Sequence, residues 1–170
     1  MNKLCLRFIG DMALRERAAS VGEVNNEIRN ILADMERVMR AEKDAGLAAP
    51  QVGLPLRMLI FSEIENDGVL YKMINPTIIR KSREESIIEE GCLSVQGPGG
   101  PVFASVARPS AIEVEWTDEN GAARRDMFDG YAARAILHEI DHLDGILFID
   151  YLSSAKREMV MRKVRKKKGV

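Results

Sequence analysis

Apolar residues punctuate this chain in two rhythms. Ile28, Ile31, Leu32, Met35, Val38 and Met39 recur at three- and four-residue intervals, so the stretch from about Asn26 to Arg40 predicts an amphipathic helix. That helix runs into Asp44-Ala45-Gly46, a polar and glycine break. After Gly53 and Pro55, Met58-Leu59-Ile60-Phe61 is short and wholly apolar, which suits a buried strand. Val69 to Ile74 and Ile87 to Glu90 read as further strands, parted by Asn75-Pro76 and a charged turn. Ile112, Val114 and Trp116 alternate with Glu113 and Glu115, and Asp118-Glu119-Asn120-Gly121 supplies hairpin turn chemistry before the next short strand. Gly130 then opens a second helix with Ala135, Ile136, Ile140 and Leu143 as core candidates. Ser153 or Ser154 caps a last helix that includes Met159, Met161 and Val164. Strands in succession without alternating crossover helices predict an α+β fold with mostly antiparallel sheet.

Composition adds limits. At 170 residues, 46% of them hydrophobic, the chain has the size of one domain and enough apolar material for a core. No internal period appears, which excludes a solenoid or a fibre. The longest charge-free stretch, Gly91 to Ala107, contains five glycines and prolines between Gly97 and Pro101, so it predicts a loop and not a membrane span. Arg7 and Asp11 cut the apolar start before a signal-peptide core forms, and no Arg-rich, acid-poor leader suggests a transit peptide. The net charge of -1 conceals an asymmetry: from Lys156 to Lys168 eight basic residues face one acid, Glu158, leaving the rest of the chain at -8. A polyanion contact would therefore fall at the C-terminus. Cys5 and Cys92 read as free thiols of a reducing cytoplasm.

The second predicted helix carries His138-Glu139-Ile140-Asp141-His142. Histidines at i and i+4 share a helical face, so both imidazoles reach one ion, with Glu139 beside it to handle a proton. These are the chain's only two histidines, which argues against an accidental pair. A catalytic site of this kind usually takes a third protein ligand and keeps one open position. The metzincin pattern fails, because Phe148 stands where its third histidine belongs. Glu158 is the only acid beyond Asp150, but it sits in the basic last helix; Cys92, in Glu90-Gly91-Cys92-Leu93-Ser94, directly follows a predicted strand.

Three stretches together resemble the peptide deformylases, metal enzymes that remove formyl groups from new bacterial and organellar chains. Gly46-Leu47-Ala48-Ala49-Pro50-Gln51 is similar to the family's first motif, Glu90-Gly91-Cys92-Leu93-Ser94 to its second, and His138-Glu139-Ile140-Asp141-His142 to its third, in the family's order. The similarity continues through Met73-Ile74-Asn75-Pro76 and Leu143-Asp144-Gly145, up to about Leu152. The resemblance implies antiparallel sheets around a central helix that bears the third motif, with 1–152 as a catalytic domain and 153–170 as a basic C-terminal helix. It implies Cys92, His138 and His142 as metal ligands and Glu139 as the acid/base. It also implies Gln51 and the Leu93 backbone N–H as donors to an oxyanion, and Gly46 alongside the bound peptide. Ferrous iron is the metal the family prefers, with zinc, nickel or cobalt as alternatives. By position, Ala45, Ile88, Tyr131 and Ala135 join Gly46 at the substrate.

Several positions depart from the family pattern. Asp44 and Ala45 replace a glycine and a bulky aliphatic residue, and the small Ala45 widens the expected pocket wall. Leu137 stands where glutamine is frequent, removing one expected hydrogen bond near the metal. After Ser94 many relatives carry proline and an arginine that binds substrate backbone; here no arginine occurs before Arg108. The partners implied are formylated nascent peptides and, through the basic tail, the ribosome, in a cytoplasmic setting without membrane or specific DNA binding. A metallopeptidase with Glu158 as third ligand is the alternative enzyme, and a non-catalytic nascent-chain binder the alternative class.

Overall fold

The computed structural model describes residues 4–63 and 68–167. Among the described residues three α-helices, α1 (Asn26–Glu42), α2 (Gly130–Leu143) and α3 (Ser154–Lys167), combine with nine strands. The strands are β1 (Gly46–Ala48), β2 (Met58–Ser62), β3 (Leu70–Lys81), β4 (Glu85–Glu90), β5 (Gln96–Gly97), β6 (Gly100–Pro101), β7 (Ala104–Pro109), β8 (Ala111–Thr117) and β9 (Ala123–Asp129). A five-stranded antiparallel sheet runs β1-β2-β3-β8-β9, and β4 pairs with β7 and β5 with β6. This is the α+β architecture expected from the patterning.

The main sheet is buried on both faces at β1 and β2, which explains why β2 is apolar at successive positions instead of alternating. Leu59 and Phe61 join Ile136, Leu137 and Ile140 of α2 on one face. Met58 and Ile60 join Leu32, Met35 and Met39 of α1 on the other. The Asn25 side chain accepts from the Ile28 amide at 3.1 Å and caps α1. The helix runs two residues past Arg40 and stops where Lys43 turns left-handed, φ 57°. Asp44 does not take the left-handed conformation, so its replacement of glycine carries no backbone strain.

The strand expected to stop at Ile74 continues through Asn75-Pro76 to Lys81. A register shift between Ile74 and Thr77 absorbs the proline, as a bulge does. Asn75, at φ 53°, clasps the Val21 backbone, accepting from its N–H and donating to its carbonyl at 2.9 and 2.8 Å. The stretch from Gly91 to Ala107 is likewise more than a loop: it holds β5, β6 and the start of β7. Small residues such as Ala104, Ser105 and Ala107 disguise β7, which is held by its pairing with β4. In α3, Val160 and Val164 are buried against Val95, Val102 and Ile149, whereas Met159 is exposed. The apolar face of that helix is thus centred on Val160 and Val164, one position from Met159. Lys168 and the Lys167 side chain lie outside the described residues. No described helix is long and apolar enough to cross a membrane.

Candidate metal centre and active site

Helix α2 lies against β1 and β2 with nearly its whole circumference buried, so the two histidines one turn apart sit in the interior. The segment after β4 brings Cys92 to meet them. One ligand atom from each of Cys92, His138 and His142 falls within 4.8 Å of the others, and all three residues are buried. Cys92 Sγ is 3.2 Å from His142 Nε2. Ligand atoms around a tetrahedral zinc-sized ion stand about 3.4–3.6 Å apart, so one thiol sulfur and two imidazole nitrogens here fit a transition-metal ion. Among the described residues this is the cluster with metal-ligand spacing. Glu158 is absent from it: more than half exposed, that side chain pairs with Arg165 at 3.3 Å. The ring of Phe148, at the metzincin histidine position, is buried and stacks on His138.

Glu139 is buried beside the cluster, and its Oε2 has no hydrogen-bond partner among the described residues. Burial pushes its carboxyl up to about 8, with the negative charge of Asp44 adding to the rise and the charge of His138 opposing it. Gly46 makes room for this carboxylate: a Cβ there would lie 2.7 Å from Glu139 Oε1. Gln51 comes from a 3-10 turn after β1, where its Oε1 accepts from the Ala48 amide at 2.7 Å. That bond aims its Nε2 at Ser94 Oγ and Cys92 Sγ, 3.5 and 3.7 Å away.

Behind the cluster lies an ionic network that motif reading missed. Glu90 accepts from Arg108 Nε at 2.7 Å, from Arg134 Nη1 at 2.6 Å and meets His138 Nδ1 at 3.1 Å. Arg108 also donates to Asp141 at 2.6 Å, and the Tyr151 hydroxyl donates to the other Asp141 oxygen at 3.0 Å. Burial alone would raise Glu90, but the bonds from Arg108 and His138 outweigh it and hold its pKa down to about 2. By engaging Nδ1 the carboxylate fixes the His138 ring and leaves Nε2 for a metal. Burial disfavours the His138 imidazolium too, yet Cys92 and Glu90 overcome this and hold its pKa well above the ordinary value. Burial and then the His138 charge hold His142 well below it. The only signal for this network in sequence was the place of Glu90 and Asp141 inside two of the quoted motifs. Leu137 is buried in the core and offers no hydrogen bond.

A cavity of about 510 Å³ opens onto the cluster. Of the residues expected at substrate, Ala45, Gly46, Tyr131 and Ala135 line it, together with Gln51 and Leu93. Ile88 does not: it is half-exposed on β4, and Glu89 and Glu90 form that wall. Arg108 does not reach the cavity either, being buried in its ion pairs.

A family model described as polypeptide deformylase matches residues 5–158. A peptide deformylase of Rhizorhabdus wittichii is 42% identical over 163 residues, covering 92% of this chain and 90% of its own length. One from Endomicrobium trichonymphae is 43% identical over 169 residues, covering 99% and 97%. Among solved structures, peptide deformylase of Ehrlichia chaffeensis in complex with actinonin superposes with a TM-score of 0.91 at 37% identity, covering all of both chains.

Proposed function

The chain belongs to the polypeptide deformylase family, whose members are metal-dependent hydrolases, and from that premise we propose which residues do the work. The chain removes the formyl group from formylmethionyl nascent peptides and releases formate. Cys92, His138 and His142 hold one divalent ion, and the observation that carries this is their convergence within 4.8 Å beside the buried Glu139. Held by these three side chains, a divalent ion would supply the acidity that makes hydroxide available near neutral pH. Glu139 accepts the proton of the attacking water and returns it to the amine that leaves. Its burial, which favours the neutral acid, suits it to give that proton back at neutral pH. The Gln51 Nε2 and the Leu93 N–H donate to the oxygen that gains charge, where one lost donor typically costs about 10²–10³ in rate.

Strand β1 is an edge of the main sheet, so a peptide can add alongside Ala45 and Gly46 through backbone hydrogen bonds. Tyr131 and Ala135 flank the first side chain. Ferrous iron is the ion of this reading, since a donor set of one thiolate and two imidazoles accommodates it as well as zinc, nickel or cobalt. In this cytoplasmic reading, 1–152 carry the chemistry and 153–170 form a basic helix that contacts the ribosome through Arg162, Lys163, Arg165, Lys166, Lys167 and Lys168. The exposure of Arg162, Lys163, Arg165 and Lys166 around the buried Val160 and Val164 supports that contact.

Formate release from formyl-Met-Ala-Ser under anaerobic conditions, with metal content measured, tests the ligand set. Cys92→Ala is expected to lose tight metal binding and turnover, because two imidazoles alone are a weak site. Glu158→Ala should keep both. The reverse pattern would replace this reading with a metallopeptidase that uses Glu158.

A further inference from the structure

The lining of the cavity contains a large aromatic side chain that the chemistry above does not use. Phe103 is 56% exposed although it lines the cavity that opens onto the metal ligands. It leaves the hairpin of β5 and β6 just before β7, and its ring lies flat against the backbone of Gly91. A Cβ on Gly91 would meet the ring at 2.5 Å, so glycine is what permits the ring to settle there. Tyr131, 57% exposed, lines the same cavity. Two half-covered aromatic faces at one cavity leave apolar area that a ligand can remove from water.

The cations near this cavity are already committed. Arg134 lines it, but its Nη1 donates to Glu90 at 2.6 Å and to the Val106 carbonyl at 3.0 Å, and its Nη2 donates to the Ser86 carbonyl at 2.7 Å. Arg108 is spent on Glu90 and Asp141. Lys43 is the remaining basic residue of the lining, which also includes the acids Glu42, Asp44 and Glu89. Only Nε of the Arg134 guanidinium lacks a partner among the described residues, and that atom is buried out of reach of solvent, so ordering of the peptide beyond its first residue falls to strand pairing and to apolar contact.

We propose that Phe103 is a specificity-determining residue of this chain, its ring packing against apolar side chains that follow the formylmethionine in the substrate. This rests on the deformylase reading above, and it adds the substrate class: nascent peptides with an aliphatic second or third residue. The peptide enters the cavity that Gly46 and Phe103 both line. Its backbone pairs with β1, and a leucine side chain covers the exposed ring.

The test compares kcat/KM for formyl-Met-Ala-Ser, formyl-Met-Leu-Ser and formyl-Met-Ala-Leu in the wild-type holoenzyme, Phe103→Ala and Phe103→Leu. Wild type is expected to favour one or both leucine peptides over the alanine parent by roughly fivefold to tenfold, carried by KM, as partial burial of one aliphatic side chain implies. Phe103→Ala should bring that ratio close to one, and Phe103→Leu should restore part of it. A ring that only supports the Gly91-Cys92 backbone would instead lower kcat on all three peptides alike. Equal ratios in wild type and Phe103→Ala, with formate released from every peptide, would overturn the proposal and leave the deformylase reading standing. Absence of formate from every peptide with metal-loaded wild type would overturn that reading itself.

Discussion

Replacing Glu90 with glutamine keeps the shape of the side chain and removes the charge on which two buried guanidiniums depend. Glu90, Arg108 and Arg134 side chains are each 5% exposed or less, so water cannot take over the lost partner. Removing one member of such a buried network typically costs about 3–5 kcal/mol, because the remaining charges stay uncompensated. The depressed Glu90 carboxyl gives a second figure. Lowering Glu90 from its ordinary 4.5 to about 2 contributes on the order of 3 kcal/mol to folding stability. A depressed carboxylate contributes in full above its unfolded pKa and loses the contribution as pH falls through its folded one. The window for wild type therefore runs from about pH 4.5 down to about pH 2. In thermal unfolding at pH 7, Glu90→Gln should melt roughly 10 °C below wild type, with a shallower decline between pH 4.5 and 2. Its metal affinity should fall by about 10- to 100-fold, since the His138 ring loses the acceptor that orients it. Melting temperatures that coincide at pH 7, with parallel acid profiles, would refute the role given to this network.

Gly46→Ala should lower kcat by about 10²-fold while metal content is kept, because the new methyl displaces the Glu139 carboxylate from its place; an unchanged kcat would show that the carboxylate moves aside freely. Replacing Arg162, Lys163 and Lys166 by glutamate should abolish ribosome co-sedimentation and leave tripeptide deformylation intact. Charge reversal is preferable to truncation here, since Val164 is packed in the core. The wild-type interaction should fall with salt at a log–log slope of about -0.7 to -0.9 per phosphate neutralised; undiminished co-sedimentation of the triple variant would return α3 to an ordinary solvated helix.

What patterning revealed and what it hid follow from the range of the forces involved. Helix α1 and strand β8 were legible because their buried positions repeat locally, at periods near 3.6 and 2, and the turn after β8 by its Asn-Gly chemistry. Strand β2 was legible as buried, but only the fold shows that α1 covers one face and α2 the other. Strand β7 was hidden because small residues break up its pattern, only Val106 and Arg108 of it are buried, and its pairing partner β4 lies about twenty residues earlier. The bulge at Asn75 was hidden by the breaker chemistry of proline, which a register shift accommodates. At the site, the three quoted motifs converge on one cavity, as the resemblance implied they would. The network of Glu90, Arg108, Arg134 and Asp141 joins three separate elements, β4, β7 and α2, and charged residues read singly look like solvated surface. Ile88, placed at the substrate by matching position alone, stands half-exposed on β4 outside the cavity lining.

The central claim is that one ion on Cys92, His138 and His142 and one proton carrier, Glu139, divide the work between them. Anaerobically prepared wild type and Glu139→Ala, each assayed for bound metal and for formate released from formyl-Met-Ala-Ser, test it directly. The account predicts about one ion per chain in both proteins, with formate released rapidly by wild type and at least about 10²-fold more slowly by the variant. A Glu139→Ala protein that deformylates at near wild-type rate, or metal-loaded wild type that releases no formate, would contradict it.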